Sequence, residues 1–218
     1  MKRKLRIDIL IVLILPYLLG LVLCITLFPS NKENYSIFFQ GCLIVLLGLF
    51  VESITNFESY KIKSKDNGIL SGLLISIFLL LITLNSYYNL FFMLNKNIQT
   101  FTYIIGLILF VCGGYLRVKA KKDLQGYFSH SLKIDQNHQL ITTGLYRYVR
   151  HPAYLGTTLV LISTSLIFNS WIGFFLVVLL SPLGIKRIQN EEKMLIDKFG
   201  DDYISYSKQV KRIIPYLF

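Results

Sequence analysis

Four stretches of this 218-residue chain, 7–28, 36–57, 69–93 and 98–116, are apolar and long enough to cross about 30 Å of hydrocarbon as helices. A fifth, 152–184, is too long for one span, and its interruption at Asn169-Ser170 predicts a tight turn between antiparallel helices, the second starting near Trp171. About six spans result. The bilayer core admits only structures that satisfy their own backbone hydrogen bonds, and runs this continuously apolar predict helices rather than a barrel. The fold class is therefore all-α: a polytopic membrane protein. With 54% hydrophobic residues, the chain has more apolar surface than a soluble domain of its size could bury. The first span follows Met1-Lys2-Arg3-Lys4-Leu5-Arg6, a basic start like that of a signal peptide. It runs on without a small-residue cleavage site, so it reads as retained.

Basic residues set the orientation, because short translocated loops are poor in them. Of the 23 Lys and Arg, four lie in residues 1–8, three near Lys61–Lys65, seven between Arg117 and His151, and seven from Lys186 onward. Only Lys32 and Lys96 fall on the opposite side. The alternation predicts six spans with both termini cytosolic. A net charge of +11 could suit nucleic acid, but topology and an anionic leaflet account for it better, so no nucleic-acid partner is expected. Cys24, Cys42 and Cys112 lie apart in apolar spans, with neither a disulfide framework nor a zinc spacing, so no metal is expected. Abundant Lys, Ile and Asn point to an AT-rich bacterial genome, and hence to a cell membrane with the charged face toward the cytoplasm.

The two halves differ. Residues 1–116 read as a scaffold of four spans, where Glu52 is the only acid well inside a span and is placed to snorkel or to pair with Lys61. Residues 117–218 hold a polar loop of more than thirty residues with all three histidines, His130, His138 and His151, then a helical hairpin over 152–187 and a polar helical tail. Long loops of mixed composition are usually functional.

Two clusters carry the chemistry. The first runs from Gly144 to Gly156 and includes Tyr146, Arg150, His151, Pro152 and Tyr154. Pro152 suits a first helical turn, so Arg150 and His151 would stand at a helix N-terminus, where free N–H groups and neighbouring cations favour an anion. An interfacial belt of Tyr and snorkelling Arg is the plainer explanation of that cluster alone. The second begins Arg187-Ile188-Gln189-Asn190-Glu191-Glu192 and continues through Phe199-Gly200, Tyr203 and Tyr206. If the sixth helix continues into the tail, Arg187 and Glu191 stand at i and i+4 on one face. Glu192, about 100° away, would then meet water or a surface lysine. Ordinary ion pairs on a solvated helix would explain this cluster alone.

Together these residues resemble the isoprenylcysteine carboxyl methyltransferase family of integral membrane enzymes. The resemblance rests on Tyr146, Arg150-His151-Pro152, Tyr154, Gly156, Arg187, Glu191-Glu192, Phe199-Gly200, Tyr203, Tyr206 and Pro215, with Leu116-Arg117 and His138-Gln139-Leu140-Ile141 upstream. It implies cytosolic cofactor-binding segments for S-adenosylmethionine. His138, Gln139, Leu140 and Ile141 would line the adenosine, with Lys133 as a polar contact. Tyr146, His151, Pro152, Ala153 and Tyr154 would surround the methionine part, and Glu191 would hold its ammonium. Arg117 and Arg187 would approach a lipophilic or lipid-linked acceptor, such as a prenylcysteine-type carboxylate, within a shell of membrane lipids.

The chemistry is consistent with those roles, since this cofactor carries a carboxylate, an ammonium and a sulfonium. An acid, a cationic helix start and tyrosine faces suit all three. Methyl transfer needs no enzyme nucleophile, only in-line approach and exclusion of water. Two other functions fit the chain less well. A membrane reductase of the steroid-reductase type would bind NADPH, and a small transporter or assembly protein would place polar groups near the bilayer midplane.

Overall fold

The computed structural model describes residue 43, residues 96–124 and residues 139–214. Apart from residue 43, the first three expected spans lie outside the described residues, as do Glu52, Lys133 and His138. Among the described residues from 96 onward, four helices follow one another: α1 (Lys96–Asp123), α2 (Pro152–Ile167), α3 (Trp171–Phe199) and α4 (Asp201–Gln209). A 3₁₀ turn, Gly144–Arg147, precedes α2. Among the described residues there is no strand, only an isolated parallel bridge between Val149 and Lys211.

α1 and α3 are long and apolar enough to cross a membrane. Their apolar side chains face outward: Phe101, Ile104, Ile108 and Val111 on α1, and Phe175, Val178, Leu179 and Leu183 on α3 are all exposed. Stripes this long call for a nonaqueous neighbour.

α1 packs most extensively on α2, and small residues make the approach possible. A Cβ on Gly156 would stand 2.6 Å from the Gly113 carbonyl oxygen, and one on Gly113 would stand 2.8 Å from that of Gly156. Gly106 meets Ser163 and Ile167 in the same way. Gly106, Gly113 and Ala120 recur every seven residues along α1, as Gly156 and Ser163 do along α2, so the two helices share an antiparallel seam. Because the obstacle is backbone, Gly156→Ala should destabilise the protein by about 1–3 kcal/mol through helix displacement. Thermal denaturation in detergent measures this, and an unchanged midpoint would mean that the helices stand further apart.

α2 begins where the sequence predicted, with Pro152 in the first turn and His151 as N-cap. It ends at the expected turn. Asn169 takes a positive φ of 47°, which asparagine tolerates, and Ser170 caps α3 by accepting from Gly173 N at 3.1 Å. Thr102 Oγ1 donates to Asn169 Oδ1 at 2.6 Å, tying the turn to the start of α1.

Two expectations about extent change. α1 does not stop at Leu116 but continues through Arg117 to Asp123, so the polar loop is shorter than the sequence suggested and a helix crosses the expected 116/117 boundary. The extension is Arg117-Val118-Lys119-Ala120-Lys121-Lys122-Asp123, rich in good helix formers and with lysines in its last turn. α3, in turn, runs without a break past Arg187 to Phe199, carrying the first part of the second cluster on the hairpin helix itself, while Tyr203 and Tyr206 fall on α4.

Candidate functional site

The site forms where the start of α2 meets the polar half of α3. The 3₁₀ turn sets the approach. Gly144 has φ +63°, and a Cβ there would stand 2.4 Å from Asp123 Oδ2, which also accepts from Leu145 N at 3.0 Å. The end of α1 thus caps the turn that leads into α2. Behind it, Tyr146, Ala120 and Ala153 pack together with Leu124, Ile141 and Leu145 against them. Tyr146 Oη lies 3.4 Å from Ala120 O, and Tyr206 Oη donates to Tyr146 O at 2.6 Å. Burial raises the pKa of both phenols well above the ordinary tyrosine value, so both remain neutral donors.

Tyr154 stands in the first turn of α2. Its hydroxyl donates to Glu191 Oε2 at 2.9 Å and accepts from Arg187 Nε at 3.1 Å. The i, i+4 pair on α3 therefore does share a face, and α2 supplies the group joining its members. Glu191 Oε1 stands 3.8 Å from His151 Nδ1, beyond hydrogen-bond range, and the side chain is 35% exposed. This carboxylate retains capacity to accept. The His151 ring meets that of Tyr154 edge to face, with centroids 5.7 Å apart.

Glu192 overturns one expectation. Instead of facing water it is buried, its side chain 8% exposed. Arg150 donates to Glu192 Oε1 through Nε at 2.9 Å and Nη2 at 2.7 Å, and Arg212 Nε donates to Oε2 at 2.9 Å. His151 Nε2 lies 3.3 Å from Glu192 Oε1. The reason lies in packing: the end of the chain folds back over this face of α3. Arg150 N and His151 N donate to Lys211 O and Arg212 O at 2.8 and 2.9 Å.

Arg150 also departs from its expected role. Its Nη1 donates to Ser207 O at 2.7 Å and to Val210 O, so with Glu192 four of its five N–H groups are engaged within the protein. It is a structural tie rather than an open cation for an incoming carboxylate.

The structure thus brings Tyr146, His151, Pro152, Ala153, Tyr154, Arg187 and Glu191 to one end of the α2–α3 pair. Arg117 reaches α2 separately, donating to Thr157 Oγ1 one turn beyond Tyr154. Gln139, Leu140 and Ile141 enter from the side of the 3₁₀ turn, with Gln139 exposed and Ile141 against Tyr146. The sequence reading missed Glu192 and Arg212. An acid pair beside Arg187 and an unassigned Arg near the chain end were the available signals, but they lie 42 and 62 positions from Arg150.

Comparison with known proteins follows the same half of the chain. Residues 104–197 match the family model of the isoprenylcysteine carboxyl methyltransferases. Protein-S-isoprenylcysteine O-methyltransferase of Schizosaccharomyces pombe is 37% identical over 110 residues, covering 49% of this chain and 47% of that protein. Its human counterpart is 30% identical over 121 residues, 54% of this chain and 43% of that protein. The chain therefore spans about half the length of the curated relatives it matches. Among solved structures, a eukaryotic intramembrane Ras methyltransferase (isoprenylcysteine carboxyl methyltransferase) aligns over 99% of both chains with a TM-score of 0.51 at 18% identity, a likeness of fold. The motifs around Tyr146, His151, Arg187 and Glu191 thus lie in the segment, residues 104–197, over which this chain resembles the isoprenylcysteine carboxyl methyltransferase family.

Proposed function

We propose that the protein is an integral membrane methyltransferase that moves a methyl group from S-adenosylmethionine to a lipophilic acceptor bearing a prenylcysteine-type carboxylate. The observation that carries this reading is the Arg187–Tyr154–Glu191 chain beside His151, in the segment that matches the family model. The donor set suits the cofactor. Glu191 offers a partly exposed carboxylate for an ammonium, and Tyr146 and Tyr154 bring aromatic rings to the same end of α2, suited to a sulfonium. Gln139, Leu140 and Ile141, together with Lys133 and His138, would receive the adenosine.

Bound there, the cofactor supplies an activated methyl group. The protein's part is to position and to exclude water. Arg187, held by the Tyr154 hydroxyl, and Arg117, held by Thr157, would orient the acceptor carboxylate, which a planar guanidinium can bind through two parallel bonds. Both arginines contact α2 on successive turns, so one helix would register the acceptor against the cofactor.

In this reading residues 1–116 form the membrane scaffold and 117–218 the catalytic half, with α1 belonging to both. Six spans, cytosolic termini and a site facing the cytoplasm of a bacterial cell complete the arrangement. The charge alternation and the composition support them.

The test is transfer of labelled methyl from S-adenosylmethionine in membranes containing the full chain, with an N-acylated S-prenylcysteine as acceptor. Label in the prenylcysteine ester is the expected result. Label absent from it while NADPH binds spectroscopically would favour a reductase.

A further inference from the structure

The Glu192 cluster has a feature that a simple structural ion pair does not need. Its carboxylate touches His151, a residue of the proposed cofactor site, while both of its oxygens are held by arginines from elsewhere in the chain. Oε1 receives Arg150 through two nitrogens at 2.9 and 2.7 Å, and Oε2 receives Arg212 at 2.9 and 2.8 Å. With both oxygens fixed, the carboxylate cannot rotate. An ionised carboxylate only accepts, so the ring nitrogen facing it at 3.3 Å, His151 Nε2, must carry the proton. The Nδ1 edge is then directed toward Glu191 Oε1, at 3.8 Å too far for a hydrogen bond that would ask the same of it.

We infer that Arg212 is a positioning residue: by fixing Glu192 from the side opposite Arg150, it holds His151 as the Nε2–H form and so sets the edge that His151 presents to Tyr154 and Glu191. The backbone supports the same arrangement. The Val149–Lys211 bridge and the bond from His151 N to Arg212 O at 2.9 Å bring Arg212 alongside the residue it positions. Arg212 lies beyond residues 104–197, so the family match does not assign it. Arg150 and Glu192 tie together three segments and would disturb the fold if removed. Arg212 is more exposed, its side chain at 32% against 9% for Arg150, which makes it the member that can be changed.

The inference rests on the proposed methyltransferase reading for its effect on the cofactor, but not for its effect on the histidine. The full chain, labelled with ¹⁵N-histidine, would be studied by solid-state NMR in lipid bilayers. Its three histidines allow His151 to be assigned by the signal lost in His151→Ala. In the native chain, Nε2 of His151 is expected to be protonated. Arg212→Gln is expected to give a mixture of tautomers and to weaken S-adenosylmethionine binding about tenfold, as loss of a supporting partner commonly does. Arg212→Lys should recover part of both.

An unprotonated Nε2 in the native chain would overturn the inference. So would an Arg212→Gln variant with unchanged tautomer, whatever its affinity. Should Arg212→Gln fail to fold, the native spectrum and Arg212→Lys still decide the matter. A native chain that shows the expected tautomer but binds no S-adenosylmethionine would instead refute the cofactor assignment.

Discussion

Arg150→Ala is expected to destabilise the protein by about 3–5 kcal/mol. Arg150 and Glu192 are both almost buried, with side chains 9% and 8% exposed. Removing the guanidinium would leave a buried carboxylate with Arg212 and His151 alone, and would strip Ser207 O and Val210 O of a charged donor. Three segments would loosen together: the approach to α2, the polar half of α3 and the chain end. Glu192→Gln, which keeps shape but removes charge, should lower stability in the same direction, because two arginines would then face a neutral amide. Denaturant titration in matched detergent measures both. A loss below about 1 kcal/mol for Arg150→Ala would mean that the cluster behaves as a solvated surface pair.

Glu191→Gln should do the opposite: leave stability nearly unchanged and weaken S-adenosylmethionine binding by roughly 2–3 kcal/mol, about thirtyfold or more. Its carboxylate is 35% exposed and receives one hydroxyl, so the fold asks little of its charge. The expected ammonium contact asks a good deal. Calorimetric titration of Glu191→Gln beside Glu192→Gln, with melting temperatures for each, separates a binding role from a folding role. Equal affinity in native protein and Glu191→Gln would remove Glu191 from the cofactor site.

The contrast between these adjacent acids shows what the sequence could tell. Local geometry was legible: Pro152 as a helix start, Asn169-Ser170 as a turn, and Arg187 with Glu191 on one face all follow from fixed periodicities and backbone preferences. The surroundings of Glu192 were not, since helix periodicity says where a side chain points but not which distant segment arrives there. The return of Lys211 and Arg212 to the start of α2 is a tertiary event, with no local signature beyond an arginine in a polar tail. The end of α1 was missed for a different reason. Hydropathy finds where lipid contact ends, whereas a helix ends where its backbone bonds do, and Ala120 continues the packing against Tyr146 past the last apolar run. The glycine seam was present in the spacing of Gly106, Gly113 and Gly156, but could be read only once the partner helix was known.

The length of α2 has a further consequence. Its 16 residues rise roughly 24 Å, whereas α1 and α3, with 28 and 29, rise roughly 42–44 Å. The Thr102–Asn169 bond sets the second turn of α1 level with the hairpin turn, so beyond that level α1 runs 21 residues to Asp123, while α2 spans 16 and α3 29. His151 therefore stands roughly 24 Å from that level, beside Arg117 of α1 and Arg187 of α3, where the charged runs of both neighbours begin, and both helices rise past it. In the proposed methyltransferase, the site would then be a recess between taller neighbours at the edge of their apolar segments. An acceptor anchored by its own lipid tail would need little displacement to bring its polar end there. Access would then be set by how far α1 and α3 rise past the start of α2, a form of selection that depends on helix length rather than on any side chain.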